Sequence, residues 1–376
     1  MNWSQRAAEA NASVRADGRW RSVHDVDAFG NMGTRDGRKV VSFASNDYLG
    51  LTAHPKVIAG AREALERWGS GAGSARLIVG SRPVHSQLER ELADSKSTDA
   101  ALLFPNGFAA NLGVLTAFGG PGITIFSDER NHASIVDGCR LARARVVVFD
   151  HLDYEELARG LARTASAIVV SDTVFSMDGD LADVDRLAGL CRRHDALLVI
   201  DEAHAVLGPH PDLSDTTVLR VGTLSKFLGA MGGFVAGDRE LIDLLVNRAR
   251  PFIFTTASSP ADAGAALFAL RVLRSDEGRA LVARLETVVQ RVAAGHRSPI
   301  VPVVIGDEHE AVKAAAALLE RGLLVPAIRP PSVAQGTSRL RVTLSSAHTD
   351  RQVGALLGGI EEVVGRIAET TGGDHA

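Results

Sequence analysis

Short apolar runs alternate with amphipathic segments through the middle of the chain, from residue 100 to about 237. The runs have the length and β-branched composition of strands. They read ALLF, ITIFSD, RVVVFD, AIVVSD, ALLVIDE, VLRVGT and GGFVAG. Segments between them, such as 153–164 and 184–195, carry apolar residues at helical spacing. This alternation predicts an α/β fold with a large, mainly parallel sheet that is covered by helices on both faces.

The pattern changes after Pro260. Two long helices are predicted up to about residue 295, then a strand in PIVPVVIG, a helix over 308–321, further short apolar stretches and a closing helix from Asp350. This second pattern is typical of a smaller α+β domain. We therefore predict an N-terminal arm and helix that belong with the small domain (1–45), a large α/β domain (46–290) and a small C-terminal α+β domain (291–376).

Composition narrows the class of protein. The 376 residues are 45% hydrophobic with a formal net charge of −4, which predicts a soluble globular protein with a sizeable core. The charge is nearly balanced and no basic stripe is present, so we expect no nucleic-acid partner. No apolar run reaches the roughly 18 residues of a membrane span, and the first residues lack an apolar leader, so we expect no membrane association and a cytoplasmic location. Cys139 and Cys191 fit neither a disulfide framework nor a metal site, so no metal is expected.

Polar residues follow the predicted strands, where open parallel sheets bind their ligands. Asn106, Gly107 and Phe108 open a helix after ALLF, which suits a phosphate but equally an ordinary helix start. His132 follows the next strand and could lie over a planar ligand or serve as a helix cap. Ser176 lies in a turn-rich loop after AIVVSD, where turn formation alone would also explain it.

The segment DEAH, residues 201–204, follows the strand ALLVI. A carboxylate such as Asp201 at the tip of a buried strand is costly unless it is paired, and His204 lies three residues further on. The same letters mark a class of helicases, but those enzymes need a G-x-x-x-x-G-K-[ST] loop and this chain has no Gly-Lys dipeptide. A Rossmann dehydrogenase is also disfavoured, because the glycine-rich segment GSGAGSARLIVG precedes the sheet repeat.

Lys226 lies in VGTLSKFLGAMGG, a segment of small residues with almost no other charge. The chain has only five lysines among 41 basic residues, so arginine supplies its cationic surface. A lysine amine can lose its proton when desolvated and then act as a nucleophile or base, which arginine cannot do. An ordinary Gly/Ser-rich turn would have a similar sequence. The choice between such a turn and a reactive lysine therefore depends on the residues at the neighbouring strand ends.

Together these residues match the requirements of pyridoxal 5′-phosphate. Lys226 would form the Schiff base with the aldehyde carbon, and Asp201 would keep the pyridine nitrogen protonated. His204 would reach the phenolic oxygen of the ring, and Thr223 would direct its hydroxyl at the phosphate. His132 would stack on the ring. The sequence therefore predicts a pyridoxal phosphate site at the carboxyl edge of the sheet.

Eight segments resemble the α-oxoamine synthases, in order over nearly the whole chain. They are SNDYLGL, GSGAGSARLIVG, NGFAANLGV, NHASIVDGCRLARARVVVF, VFSMDGD, IDEAH, GTLSKFLGAMGG and AIRPPSVAQGTSRLRVTLSSAHT. The resemblance implies a fold-type I pyridoxal phosphate transferase, a homodimer with active sites at the subunit interface that condenses an amino acid with an acyl thioester. A non-catalytic partner subunit of the same fold is the alternative, which the joint presence of the lysine, aspartate, histidine and arginine motifs argues against.

The resemblance also implies roles for individual residues. Arg329, in AIRPP, matches the arginine that grips the substrate carboxylate, and Asn46 lies at the position of a polar substrate contact. Ser74 lies in a loop expected beside the amino acid side chain, and Thr255 or Thr256 of the other subunit is expected to help hold the phosphate. The remaining roles fall on residues already singled out: Lys226, Asp201, His132, His204, Ser176, Gly107, Phe108 and Thr223.

Within this resemblance, the closest likeness of the segments implies L-alanine and a pimeloyl thioester, of coenzyme A or a carrier protein, as substrates. Glycine C-acetyltransferase, 5-aminolevulinate synthase and serine palmitoyltransferase are the alternative activities within the resemblance. Two segments depart from the usual pattern: Ala205-Val206 follows DEAH where many relatives have glycine, and Ser258-Ser259 lies in an altered turn, TTASSP. These departures bear on local loop shape and on the acyl channel.

Overall fold

The computed structural model describes residues 2–372. The chain begins with an N-terminal arm, in which helix α1 is capped by Asn2 and has no buried residue. A short antiparallel meander of three strands follows. These first elements are α1 (Trp3–Ala16), β1 (Asp27–Phe29), β2 (Met32–Arg35) and β3 (Arg38–Ser42).

The seven apolar runs predicted as strands all form one sheet. Its strands are β4 (Ala100–Phe104), β5 (Thr124–Asp128), β6 (Arg145–Phe149), β7 (Ala167–Asp172), β8 (Leu197–Asp201), β9 (Val218–Thr223) and β10 (Gly233–Gly237). The spatial order is β4-β10-β9-β8-β7-β5-β6. β10 runs antiparallel to both of its neighbours and the other pairs are parallel. The predicted mainly parallel sheet is confirmed.

Helices cover both faces of this sheet, which explains why strands such as β4, β5 and β7 are buried along their whole length. The helices are α2 (Pro55–Trp68), α3 (Pro83–Lys96), α4 (Gly107–Phe118), α5 (Ala133–Leu141), α6 (Tyr154–Leu161), α7 (Val184–Arg193), α8 (Arg239–Arg248), α9 (Arg250–Ile253), α10 (Pro260–Leu273) and α11 (Asp276–Val292). α2 and α10 cross closely at Gly60 and Gly264, where a Cβ on Gly264 would lie 2.5 Å from the Gly60 carbonyl oxygen.

The C-terminal part adds a three-stranded antiparallel sheet, in the order β11-β14-β13, with two helices. Its elements are β11 (Ile300–Gly306), α12 (Glu308–Glu320), β12 (Leu323–Leu324), β13 (Ala327–Ile328), β14 (Ser338–Thr343) and α13 (Asp350–Gly372). β12 instead pairs in parallel with β3 of the N-terminal arm, Leu323 opposite Val41. The two ends of the chain therefore share a sheet.

The register between neighbouring strands determines which candidate site residues lie next to each other. Asp172 and Asp201, the last residues of β7 and β8, are direct partners in the parallel ladder. Asp201 is also opposite Val221, two residues before the end of β9. The carboxyl ends of the central strands therefore lie side by side, as the sequence predicts. Within residues 2–372, no helix is long and apolar enough to cross a membrane.

Candidate active site

A cavity of about 220 Å³ opens at the carboxyl ends of the central strands. Eight residues predicted for the site line it together. They are Gly107, Phe108, His132, Ser176, Asp201, His204, Thr223 and Lys226. Asn106, Asn111, Ser134, Asp172, Ala203, Ser225 and Met231 complete the lining.

A chain of hydrogen-bonding groups starts at Lys226, on the turn after β9. Its Nζ lies 2.8 Å from Nε2 of His204, and Nδ1 of His204 lies 2.5 Å from the hydroxyl of Tyr48. The Tyr48 hydroxyl donates to Oδ1 of Asn46 at 3.0 Å. The hydroxyl oxygen is therefore left to accept the Nδ1–H of His204, so Nε2 carries the lone pair that accepts an N–H from Lys226.

Burial keeps this chain close to neutrality. Desolvation lowers the pKa of Lys226, although the nearby charges of Asp201 and Asp172 act in the opposite direction. Desolvation, followed by the charges of Lys226 and Arg341, holds the pKa of His204 well below its ordinary value. His204 is therefore a neutral imidazole at pH 7, and Lys226 loses its proton more easily than a surface lysine.

Asp201 is buried at the end of β8, with 6% of its surface exposed. Its Oδ1 accepts the backbone N–H of Ala203 at 2.9 Å, and its Oδ2 accepts the side-chain amide of Asn111 at 2.7 Å. Asn111 is on α4, one turn after the helix begins, and the same amide nitrogen donates to Ser134 Oγ at 2.9 Å. Two neutral donors thus hold the carboxylate at the cavity without cancelling its charge.

His132 caps α5: its Nδ1 accepts from the backbone N–H of Ser134 at 3.2 Å and lies 2.7 Å from Ser134 Oγ. Its own backbone N–H donates to Oδ2 of Asp172 at 2.8 Å. Burial lowers the pKa of the His132 ring, against the opposing charge of Asp201. The residue thus combines both interpretations of the sequence, a helix cap and a neutral ring that lines the cavity. Asn111 connects this ring with Asp201 through Ser134.

Asp172 is a site residue that the sequence analysis missed. Burial, followed by the charge of Asp201, raises its pKa well above the ordinary value of an aspartate. Because the two carboxyl groups end adjacent strands, only one of them keeps its charge easily. The runs AIVVSD and ALLVIDE each end in an acidic residue, and this shared ending is the sequence signal that could have identified Asp172.

The segment predicted to hold a phosphate forms the start of α4. The side chain of Asn106 accepts the N–H of Ala109 at 2.8 Å, which leaves the first backbone N–H groups of the helix facing the cavity. Gly233 of β10 packs against this segment, since a Cβ there would lie 2.4 Å from the carbonyl of Asn106. Thr223 Oγ1 lies beside the helix start and 2.8 Å from Ser225 Oγ.

Arg341 is the second site residue missed in the sequence. It lies on β14 and is 6% exposed. Its Nε donates to the carbonyl of Ser176 at 2.6 Å, Nη1 to Thr343 Oγ1 at 2.9 Å and Nη2 to Asn46 Oδ1 at 3.2 Å. These partners are all neutral, so the guanidinium keeps its full charge beside the Tyr48–His204–Lys226 chain.

Five predicted residues do not line the cavity of their own chain. Asn46 is one of them, and it accepts hydrogen bonds from Tyr48 and Arg341. Arg329 follows the end of β13 and donates to the carbonyl of Gly18 in the N-terminal arm at 2.6 Å, so the structure does not bring it to the site. Ser74, Thr255 and Thr256 lie in two loops that are joined by a hydrogen bond from Ala257 N to Ser74 O. Ser74, Thr255 and Thr256 do not line the cavity of their own chain. The proposed role of the threonines in the site of another subunit stays a prediction.

A second cavity, of about 550 Å³, adjoins the first. His132 and Ser176 line the first cavity, and their chain neighbours line the second, so both cavities share these two segments as walls. The lining residues of the second cavity include Arg130, Asn131, Ala133, Phe175, Met177, Asp178, Pro331 to Ala334, Thr337 and Arg339.

Comparison with known proteins places this geometry in a class. The family "Aminotransferase class I and II" matches residues 38–360, and the chain belongs to it. Pyridoxal phosphate needs a lysine, an aspartate and a histidine together with a helix N-terminus, and the strand ends of this site bring these groups together. Pyridoxal phosphate is the cofactor of this fold. The predicted fold class, a fold-type I transferase, is confirmed.

Relatives narrow the class further. The chain is 48% identical to an 8-amino-7-oxononanoate synthase of Anaeromyxobacter dehalogenans (strain 2CP-1), over 97% of this chain and 96% of that one. It is 45% identical to the enzyme of that name from Alkalilimnicola ehrlichii, over 96% and 98%. The chain belongs to the 8-amino-7-oxononanoate synthase family.

A solved structure shows the same fold. A serine palmitoyltransferase from S. paucimobilis with a bound PLP–myriocin aldimine superimposes with a TM-score of 0.90 at 27% identity, over 98% of this chain and 100% of that chain. The resemblance to α-oxoamine synthases inferred from the sequence motifs is therefore confirmed.

Proposed function

We propose that this enzyme condenses L-alanine with a pimeloyl thioester, with loss of CO₂, to form 8-amino-7-oxononanoate, a step of biotin biosynthesis. The observation that carries the proposal is the convergence of Lys226, His204 and Asp201 on one cavity at the strand ends. The near full-length relatives of that name support the choice of reaction.

The cofactor supplies an aldehyde that binds amines and a ring that accepts the electron pair of a carbanion. Asp201, held by Asn111 and Ala203 N–H, would keep a proton on the ring nitrogen. His132 would lie against the ring face, and the first N–H groups of α4 with Thr223 would hold the phosphate. His204, a neutral imidazole that lines the cavity, would lie near the ring oxygen.

Lys226 would act twice, as the anchoring amine and as the base that moves the Cα proton of alanine. Its lowered pKa favours the neutral amine that both tasks need. The Tyr48–His204 pair lies within hydrogen-bond reach of this amine and fixes its position.

Arg341, in place of the predicted Arg329, would bind the substrate carboxylate. Its buried guanidinium has only neutral partners, and Asn46 beside it would add a polar contact. Arg329, by contrast, is bound to the N-terminal arm. A carboxylate bound by Arg341 would lie near the Lys226–His204 pair, where CO₂ would leave after the condensation.

The acyl donor would approach through the second cavity. That cavity shares the His132 and Ser176 segments with the first, and it is large enough for an acyl chain and part of its thiol carrier. Its basic residues Arg130 and Arg339 both contact Asp178. Coenzyme A and a carrier protein both fit this chemistry, so the donor is left to the assay below.

We further propose a homodimer whose active sites are shared. Leu77, Ile78 and Val79 are 50%, 73% and 69% exposed in a single apolar turn, and Phe254 is 69% exposed. These residues flank the two loops that carry Ser74 and Thr256, so an apolar interface here would place both loops near a partner's cavity. Ile78→Asp should yield monomers in sedimentation analysis. A cytoplasmic location stays a prediction from the sequence.

The test of the reaction is release of free thiol from pimeloyl-, acetyl-, succinyl- and palmitoyl-coenzyme A, each with alanine, glycine and serine. Alanine with the pimeloyl thioester should give the highest kcat/KM. Weak turnover of glycine is expected, since one methyl group discriminates by only about 1 to 3 kcal/mol. A maximum for glycine with acetyl-coenzyme A would contradict the proposal, and pimeloyl carrier protein would be the donor to try if no coenzyme A ester reacts.

A further inference from the structure

His151, two residues beyond the end of β6, bridges two carboxylates. Its Nδ1 lies 2.9 Å from Oδ1 of Asp128 and its Nε2 lies 2.5 Å from Oδ2 of Asp180. The His151 side chain is 10% exposed, and Phe175 packs edge-on against the ring at 4.4 Å. None of these residues lines the catalytic cavity, yet the bridge joins two segments that do.

The first segment leads to His132. Asp128 ends β5, and its Oδ1 also accepts the backbone N–H of Arg130 at 2.8 Å. The Asn131 N–H donates to the backbone carbonyl of Asp128 at 3.2 Å, which closes the turn directly before His132. Asp128 is 2% exposed, so water does not compete for these bonds. The position of the His132 ring therefore depends on the conformation of Asp128.

The second segment carries Ser176. A bridge between Val174 and Leu181 closes this loop, and Phe175 N donates to the Asp180 carbonyl at 3.0 Å inside it. The carbonyl of Ser176 in turn accepts from Arg341. The Asp180 carboxylate is the point at which His151 holds the loop, so the imidazole links the two walls that the cavities share, alongside the Arg130–Asp178 pair.

Only the charged imidazole can donate to both carboxylates at once, because the neutral ring has a single N–H. Burial alone would lower the pKa of His151, but the hydrogen bonds and charges of Asp128 and Asp180 outweigh it and raise the pKa to about 9. The bridge is therefore intact at pH 7. A hydrogen bond between charged partners is stronger and shorter than a neutral one.

We propose that His151 is a positioning residue for the cofactor, which holds the His132 turn and the Ser176 loop at the spacing that the bound ring and its substituents require. The proposal rests on the proposed function, because the cofactor is the ligand that the two segments would enclose. His151 touches neither the cavity nor the Lys226–His204 chain, so its effect would pass through its contacts with Asp128, Asp180 and Phe175.

The test measures cofactor affinity instead of turnover. His151→Gln retains one donor and loses the second, and Asp180→Asn retains the size of the side chain but removes one charge. Apoprotein of each is titrated with pyridoxal phosphate, followed by visible absorbance and by circular dichroism of the bound cofactor. We expect His151→Gln to raise the Kd about tenfold or more and to weaken the dichroic band, with a smaller change of the same sign for Asp180→Asn.

Leu157→Ala is the matched control, since Leu157 is fully buried on α6 in the same hydrophobic cluster as Phe175, and its backbone N–H donates to Asp153 and not to a residue of the bridge. It should lower the melting temperature and leave the Kd unchanged. An unaltered Kd and dichroic band in both bridge variants, or an equal loss of affinity in Leu157→Ala, would overturn the proposal. If His151→Gln does not fold, Asp180→Asn decides alone. Wild-type protein that binds no cofactor would instead overturn the proposed function.

Discussion

The amine of Lys226 and the imidazole of His204 are 2.8 Å apart, and the hydroxyl of Tyr48 lies 2.5 Å beyond the other ring nitrogen. Since Tyr48 donates to Asn46, the imidazole presents a lone pair to the lysine. The pair thus supports a neutral or a charged amine without reorganisation of the ring. All four residues of this contact chain lie in the predicted large domain, and Arg341 of the predicted small domain joins it through Asn46.

Removal of the hydroxyl tests the chain. Tyr48→Phe keeps the fully buried ring and leaves the Nδ1–H of His204 without an acceptor. An unsatisfied buried donor costs about 1 to 3 kcal/mol, so we expect kcat to fall roughly 5- to 150-fold while the protein still folds and binds cofactor. Stopped-flow measurement of the Cα proton exchange of alanine checks this. An exchange rate equal to wild type would show that Tyr48 only fills space.

Replacement of the lysine gives a visible result. Lys226→Ala should lose the absorption band of cofactor bound through the lysine and all measurable turnover, because no other residue between 2 and 372 that lines the cavity offers a primary amine. Lys313→Ala is the control, since Lys313 is exposed and pairs only with Glu310. A retained band with full turnover in Lys226→Ala would be incompatible with the proposed site.

Two adjacent carboxylates should respond differently. Asp201→Asn should still bind cofactor but lose about 10²- to 10⁴-fold in kcat, because the ring nitrogen would lose its charged partner. Asp172→Asn should stay within a few-fold of wild type, since the raised pKa of Asp172 already favours the uncharged form and an amide oxygen can accept the His132 N–H. Steady-state kinetics on both variants makes the comparison. Equal losses would mean that the two carboxylates share one role.

The two candidate arginines can be separated in the same way. Arg341→Lys should raise the KM for alanine about 10- to 150-fold, the equivalent of roughly 1.5 to 3 kcal/mol for a charged bidentate contact. Arg329→Lys should leave this KM unchanged, because Arg329 contacts the N-terminal arm. Assays at a saturating concentration of the acyl donor measure the KM for alanine separately. The reverse outcome would restore the assignment made from the sequence.

Alkaline pH should weaken the fold through His151. Its pKa is about 9 in the folded protein and 6.5 ordinarily, so its stabilisation is complete below pH 6.5 and is lost as the pH rises through 9. Asp128 and Asp180 are the charged groups in contact with the ring. The melting temperature of the wild type should therefore fall more between pH 7.5 and 10 than that of His151→Gln. Parallel pH profiles of the two proteins would contradict the assignment.

The sequence predicted the sheet and its reactive edge well, because a buried parallel strand leaves an unmistakable apolar run and its end is where polar residues gather. Lys226, Asp201 and His204 were found by that rule. Arg341 was not, since it lies on a strand of the smaller sheet and reaches the site through tertiary contacts with Asn46 and Ser176. Periodicity gives no means of choosing between it and Arg329.

The sequence also showed no sign of the side chains that position other site residues. Asn111 lies one turn inside α4, where an amide looks like an ordinary helix residue, yet it joins Asp201 to Ser134. Tyr48 was part of a quoted motif, but its hydroxyl gained a role only once His204 was known to lie above it. Such contacts connect residues that are far apart in sequence, so composition and spacing do not reveal them.

The pairing of β3 with β12 has a consequence for synthesis. Residues 38–42 leave the ribosome early, whereas their partner at Leu323 and the guanidinium of Arg341 emerge only near the end of translation. A nascent chain that stops before β14 would already contain Lys226, Asp201 and the strands that hold them. It would lack Arg341, the group proposed to bind the substrate carboxylate, and also Leu340 and Val342, which belong to the same hydrophobic cluster as Leu224 beside Lys226. The last part of the chain to be made therefore completes both the proposed carboxylate contact and the core under the lysine turn.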